Sequence, residues 1–178
     1  VTFSPDYQYM VDSYSRVDLP PTIVVRSTKN GEVIYKPEKQ PDVTASLQAG
    51  WNMPEVFSAK GRDGSTDIWG VIIRPTDFDP TKKYPVVEYI YAGPHDSHVP
   101  KAFSMVHRFS ELAEMGFITV MIDGMGTANR SKAFHDVFWQ NLKDAGFPDR
   151  IAWIKAAAEK YPEMDTTRVG IYGTSAGG

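Results

Sequence analysis

The spacing of apolar positions changes twice along the chain. Up to about residue 35 it is that of short strands joined by tight turns. Residues 8–15 and 22–27 are rich in Val, Ile and Tyr, and Ser4-Pro5-Asp6 is a turn signal. Asn30-Gly31, between Arg26 and Val33, predicts a hairpin of type I′, whose two central residues both need positive φ. A unit of this size cannot bury a core alone. Residues 36–54 are polar and contain prolines. They read as a linker with a short helix around Thr44–Gln48.

From Glu55 onward strand and helix patterns alternate. Residues 57–60 and 68–74 form a predicted hairpin around 61–66. Residues 86–91 form a strand closed by Ala92-Gly93-Pro94. Residues 101–115 carry Ala102, Val106, Phe109 and Ala113 at helical spacing, with Gly116 as the stop. Residues 117–122, apolar apart from Thr119, read as a parallel strand covered on both faces. A second helix is predicted over 148–161, with Ile151, Ile154 and Ala158 on one face and Trp153 and Ala157 on another. Residues 169–172 form the last strand. The alternation predicts an α/β fold, a mostly parallel sheet with helices on both sides, preceded by a short all-β segment. The expected division is 1–45 and 46–178.

Composition narrows the function. With 42% hydrophobic and 23% charged residues the chain has a globular composition. A net charge of −3 without a Lys/Arg stripe argues against a nucleic-acid partner. The absence of cysteine removes thiol nucleophiles, thiolate metal sites and disulfides. No apolar run is long enough for a transmembrane helix, and no signal-peptide pattern opens the sequence. Val1 is not a start residue, so the chain is read as cut from something longer.

The last predicted strand runs straight into Gly173-Thr174-Ser175-Ala176-Gly177-Gly178, a G-x-S-x-G pattern. A serine on a tight strand-to-helix turn needs small residues two positions away on either side. Ser175 Oγ would then stand clear of the sheet, as a nucleophile. The backbone N–H of Ala176 would point into the same space and could hold an oxyanion. The alternative for Gly173, Thr174 and Gly177 is an ordinary glycine-rich turn.

With this motif in place, residues 84–178 resemble the catalytic domain of the prolyl oligopeptidase family, most closely its dipeptidyl peptidase IV branch. Tyr89-Ile90-Tyr91-Ala92-Gly93-Pro94 is similar to that branch's strand ending in Tyr-Ala/Gly-Gly-Pro. Gly124-Met125-Gly126-Thr127, with Arg130 and Phe134, resembles its Gly-Arg-Gly-Thr stretch. The front segment, from Phe3-Ser4-Pro5-Asp6 through Tyr35, resembles the end of the β-propeller that precedes the hydrolase, so that 1–45 would be that end plus linker. The resemblance implies a serine peptidase with acyl-enzyme chemistry that releases X-Pro or X-Ala dipeptides from peptide N-termini. It implies that the Tyr91 hydroxyl is the second oxyanion donor; the residues alone favour a rim aromatic. No cofactor or metal is implied. Peptides are the expected partners, a homodimer through the hydrolase domain is expected, and a periplasmic or extracellular place is favoured over the cytoplasm.

The sequence departs from the family pattern at Met125, where arginine is usual, and at Ser131, where glycine usually follows Arg130. Asp123 at the strand end then either pairs with Arg130 or caps the next segment. The triad order is Ser, Asp/Glu, His, so the acid and histidine are expected beyond Gly178, and the residues that bind the substrate amine before Val1. The 178-residue chain alone is therefore expected to be inactive. His95 and His98 read as loop residues rather than metal ligands, His107 as surface or packing, and His135-Asp136 as structural. Alternatives on the same scaffold are an oligopeptidase, an acylaminoacyl peptidase, an esterase, or an inactive homologue with a binding role.

Overall fold

The computed structural model describes residues 1–107 and 109–178, and every structural statement refers to these. Four strands come first: β1 (Thr2–Phe3), β2 (Tyr9–Arg16), β3 (Leu19–Ser27) and β4 (Val33–Tyr35). They form an antiparallel sheet in chain order. The turn before β2 is closed as expected, by the Tyr7 N–H on the Ser4 carbonyl at 2.9 Å. The β3–β4 connection is not the predicted type I′ turn. Only Gly31 takes positive φ, at +74°. The Asn30 side chain instead accepts the Glu32 N–H at 3.1 Å, an Asx bond that replaces a left-handed backbone at that position.

Helix α1 (Thr44–Gln48) lies where the sequence put it. On its N-terminal side the Gln40 carboxamide holds the main chain of Ile23, accepting its N–H at 2.8 Å and donating to its carbonyl at 3.1 Å. On the C-terminal side Asn52 donates to the Pro75 carbonyl at 2.6 Å, and Trp51 meets Phe103 edge-on. The chain thus changes sheet between Gln40 and Trp51.

The second sheet contains β5 (Glu55–Lys60), β6 (Asp67–Ile73), β7 (Tyr84–Ile90), β8 (Ile118–Asp123) and β9 (Met164–Gly173). Between them lie α2 (Ser110–Glu114), α3 (Lys132–His135) and α4 (Phe147–Lys160). The strand order is β5-β6-β8-β7-β9. The β8–β7 and β7–β9 pairs are parallel, while β5–β6 and β6–β8 are antiparallel. The sheet is therefore mixed rather than mostly parallel. The cause is the hairpin: its short 61–66 turn forces β5 and β6 to run oppositely, whereas β7, β8 and β9 are joined by long crossovers.

Alternate strand residues divide between two cores. Ile68, Ile72, Val86, Ile118, Val120 and Ile122 meet Trp153, Ile154 and Ala157 of α4 on one face. Val71, Ile73, Tyr89 and Met121 meet Phe109 and Ala113 at α2 on the other. All six residues of β8 are buried, as a strand covered on both faces must be. Val17, between β2 and β3, is buried in the second of these cores and joins the two sheets. In β9 the side chains of Val169, Ile171 and Tyr172 are exposed.

Two helix expectations change. The buried stripe of α4 is Asp149, Arg150, Trp153, Ile154 and Ala157, and Ile151 is 51% exposed. Burial of the Asp149 and Arg150 side chains, both fully partnered, turns the helix away from the Ile151 face. The predicted helix over 101–115 passes through Arg108, which lies outside the described residues. Only Ser110–Glu114 is helical, and residues 101–107 are irregular. There the Phe103 N–H goes to the Ser15 hydroxyl and the Val106 N–H to the Ser104 hydroxyl. Side chains take main-chain donors that a helix would have used.

Candidate active site

β9 ends at Gly173, opposite Ile90 of β7 in the parallel register. The segments that follow, 174–178 and 91–94, therefore leave the sheet side by side at the C-terminal ends of adjacent strands, where α/β folds place their ligands. Ser175 opens a single 3-10 turn, Ser175–Gly177, with φ at +58°. A left-handed conformation at a residue with a Cβ costs about 1–2 kcal/mol, and the packing around the turn holds it. A Cβ on Gly173 would overlap the Gly177 carbonyl, and one on Gly177 would overlap the Ile90 carbonyl. Both flanking positions must be glycine for the turn to close against β7. The turn is fixed by the Gly177 N–H on the Thr174 carbonyl at 3.0 Å and the Ala92 N–H on the Ala176 carbonyl at 3.1 Å. Ser175 and Ala176 are exposed.

Tyr91 follows β7 directly and is half-buried. Its hydroxyl lies 3.3 Å from His95 Nε2. Its ring packs on His98, with centroids 4.0 Å apart. Burial pushes the His98 imidazole below the usual histidine range. His107 is buried against Phe109, and burial lowers it likewise. His135 donates from Nε2 to the Pro94 carbonyl at 2.7 Å. Among the described residues no group of three or more His, Asp or Glu side chains is arranged to hold a metal ion. Among them no helix is long and apolar enough to cross a membrane.

Asp123 neither pairs with Arg130 nor caps the segment that follows it, and instead holds the earlier loop at 98–99. It accepts the N–H of His98 at 2.7 Å and of Val99 at 3.1 Å, and it pairs with Lys101 at 3.1 Å. Arg130 does not reach it; its guanidinium donates to the Asp67 carbonyl and covers the Phe134 ring. Met125 is buried in the core beneath α4.

Sequence reasoning missed the charged network under the site. Asp149, fully buried, accepts the N–H of Met125 and three donors of Arg62. Arg62 also forms two bonds to Asp144, at 2.8 and 2.7 Å. Arg150, equally buried, pairs with Glu88 of β7 and donates to the carbonyls of Ile122 and Ala145, and at 3.5 Å to that of Tyr91. Burial pushes the Glu88 carboxyl above the usual glutamate range, against the pull of Arg150. The available signal was Glu88 itself, a charge inside the apolar run 86–90.

An α/β sheet with a strained serine turn at the end of a parallel strand defines the hydrolase class of site. Residues 102–178 match the model of the prolyl oligopeptidase family. Human dipeptidyl peptidase 8 is 35% identical over 127 residues, 70% of this chain and 14% of the relative. A protein of Arthroderma benhamiae named probable dipeptidyl-aminopeptidase B is 31% identical over 179 residues, 100% of this chain and 20% of the relative. The crystal structure of Porphyromonas gingivalis dipeptidyl peptidase 4 superposes with a TM-score of 0.74 at 28% identity, over 98% of this chain and 25% of that one. A Bacteroides ovatus protein described as a candidate dipeptidyl aminopeptidase IV gives 0.80 at 29% identity, over 99% and 25%. The chain matches the prolyl oligopeptidase family over residues 102–178 and is similar to dipeptidyl peptidases over most or all of its length. It spans about a fifth or less of the length of the curated relatives it matches.

Proposed function

We infer that the protein is a serine peptidase that releases X-Pro or X-Ala dipeptides from peptide N-termini through an acyl-enzyme on Ser175. The observation that carries this reading is the left-handed Ser175 on a turn that only glycines at 173 and 177 allow to close. Ser175 Oγ attacks the scissile carbonyl carbon, and the hydroxyl proton passes to a histidine later in chain order. The tetrahedral oxyanion is held by the Ala176 N–H and the Tyr91 hydroxyl. Collapse expels the amine, which takes that proton, and water then hydrolyses the ester. None of the four histidines in residues 1–178 is assigned as the base. The 178-residue segment by itself is accordingly expected not to react with a fluorophosphonate, and labelling at Ser175 would place a base within it.

The reading extends to organisation. Residues 1–45 are proposed as the last part of a β-propeller and 46–178 as the first part of the hydrolase. The four-stranded antiparallel sheet and the change of sheet after Gln40 support this division. A homodimer through the hydrolase domain is proposed from the family likeness, and sedimentation of the full-length protein tests it.

Hydrolysis of a chromogenic Gly-Pro amide, beside the same compound with its amine blocked, tests the function. The expected result is cleavage of the free-amine substrate alone, lost in Ser175→Ala. Cleavage of the blocked compound would move the reading to an oligopeptidase or acylaminoacyl peptidase. No turnover of either would overturn it.

A further inference from the structure

Between Tyr91 and Val99 the chain folds back on itself. The His95 ring stands edge-on to Tyr91, with centroids 5.5 Å apart and Nε2 3.3 Å from the phenol oxygen. His98 lies against the same phenol and 5.7 Å from the His95 ring. The fold-back depends on Gly93. A Cβ there would come within 2.6 Å of His95 Cε1 and 2.8 Å of Tyr91 Cε1. The loop is anchored on both sides of His95. Ala92 is bonded to Ala176, Pro94 to His135, and His98 and Val99 to Asp123. Asp96 accepts from the Asn129 side chain at 2.8 Å. His95 is exposed, yet it sits on a fixed backbone.

We propose that His95 is a positioning residue that sets the direction of the Tyr91 hydroxyl proton. The inference rests on the peptidase reading above. A phenol has one proton to donate and lone pairs to accept with. If His95 Nε2 accepts that proton, the hydroxyl turns its lone pairs toward the substrate oxyanion and repels it. If Nε2 carries hydrogen and donates to the phenol oxygen, the phenol proton is left for the oxyanion. The two hydrogen bonds then polarise each other in one direction. No proton changes owner in this arrangement. It acts only on the charge that develops in the transition state, so its effect falls on kcat rather than on KM.

The test measures kcat and KM of the full-length protein on the Gly-Pro amide for His95→Phe, His95→Gln, Tyr91→Phe and the double variant Tyr91→Phe/His95→Phe. His95→Phe keeps a ring but no donor, and kcat is expected to fall about fivefold with KM unchanged, the worth of one ordinary hydrogen bond. His95→Gln, which still has an N–H to offer, is expected to recover most of that loss. In the Tyr91→Phe background His95→Phe should have no further effect. A parent-like kcat in His95→Phe, a loss confined to KM, no recovery in His95→Gln, or an undiminished loss in the Tyr91→Phe background would each overturn the positioning role. A slow Tyr91→Phe beside a neutral His95→Phe overturns this inference alone. An inactive parent or a fully active Tyr91→Phe overturns the reading beneath it, and the inference with it.

Discussion

Ala92 donates its backbone N–H to the carbonyl of Ala176 at 3.1 Å, joining main chain to main chain the residue after Tyr91 and the residue after Ser175. Two strand ends that meet only through the sheet register could drift relative to each other. With this bond, and with Gly177 pressed on the Ile90 carbonyl, the serine turn and the tyrosine keep one spacing.

Gly177→Ala should break that spacing. The added methyl has no room against the Ile90 carbonyl, so either the turn or the end of β7 must shift. Overpacking of this kind costs about 1–3 kcal/mol of stability. A displacement of the nucleophile near 1 Å costs about a hundredfold in rate. Fluorophosphonate labelling of the full-length protein, read beside its circular dichroism spectrum, checks this. Labelling at the parent rate in a folded variant would count against the turn as the seat of the nucleophile.

Tyr91→Phe removes the hydroxyl and keeps the ring that packs on His98. If that hydroxyl holds the oxyanion, kcat should fall by about a hundredfold or more, with KM for the Gly-Pro amide nearly unchanged. A change in KM alone would return Tyr91 to the role of a rim aromatic.

Much of this arrangement was legible in the sequence. The elbow, the Tyr91 strand end and the elements α1, β8 and β9 follow from local pattern: small residues around a serine, apolar runs, and breakers at their ends. Mixed strand direction was not legible, because the antiparallel β6–β8 pairing joins segments about fifty residues apart that leave no mark on the local period. The stretch 101–107 misled because Ala102 and Val106 have helical spacing, while Ser15, far away in sequence, claims the Phe103 N–H. Asp149 and Arg150 look like exposed first-turn residues of a helix. Only the tertiary structure brings Arg62 to one and Glu88 to the other.

The Glu88–Arg150 pair joins β7 to α4 and, through the Ile122 carbonyl, to β8. Arg150→Met should leave Glu88 as a buried, unpaired carboxylate and cost about 3–5 kcal/mol. The double variant Glu88→Leu/Arg150→Met should recover part of that loss, since it removes both charges. Urea denaturation of the parent, the single and the double variants measures the difference. A double variant no more stable than Arg150→Met would show that the unpaired Glu88 does not set the cost, and that the lost carbonyl bonds of Arg150 do.

Arg62 and Asp144 supply a dependence on pH whose sign can be worked out. The two hydrogen bonds from Arg62 hold the Asp144 carboxyl below the usual aspartate range. A folded-state value below the unfolded one stabilises the protein above the unfolded value, about 3.9. The gain is lost as pH falls through the folded value. Asp144→Asn keeps an acceptor for the Gly146 N–H, which Asp144 now holds at 3.0 Å, while removing the charge. At pH 7 the parent should therefore be more stable than Asp144→Asn by about 1 kcal/mol, the worth of a well-formed pair near the surface. Between pH 5 and pH 3, on the order of one unit either side of that unfolded value, the gap should begin to close. It should go on closing at lower pH while both proteins still fold. Thermal unfolding of both proteins across this range checks the prediction, and a gap independent of pH would mean that Arg62 acts through Asp149 alone.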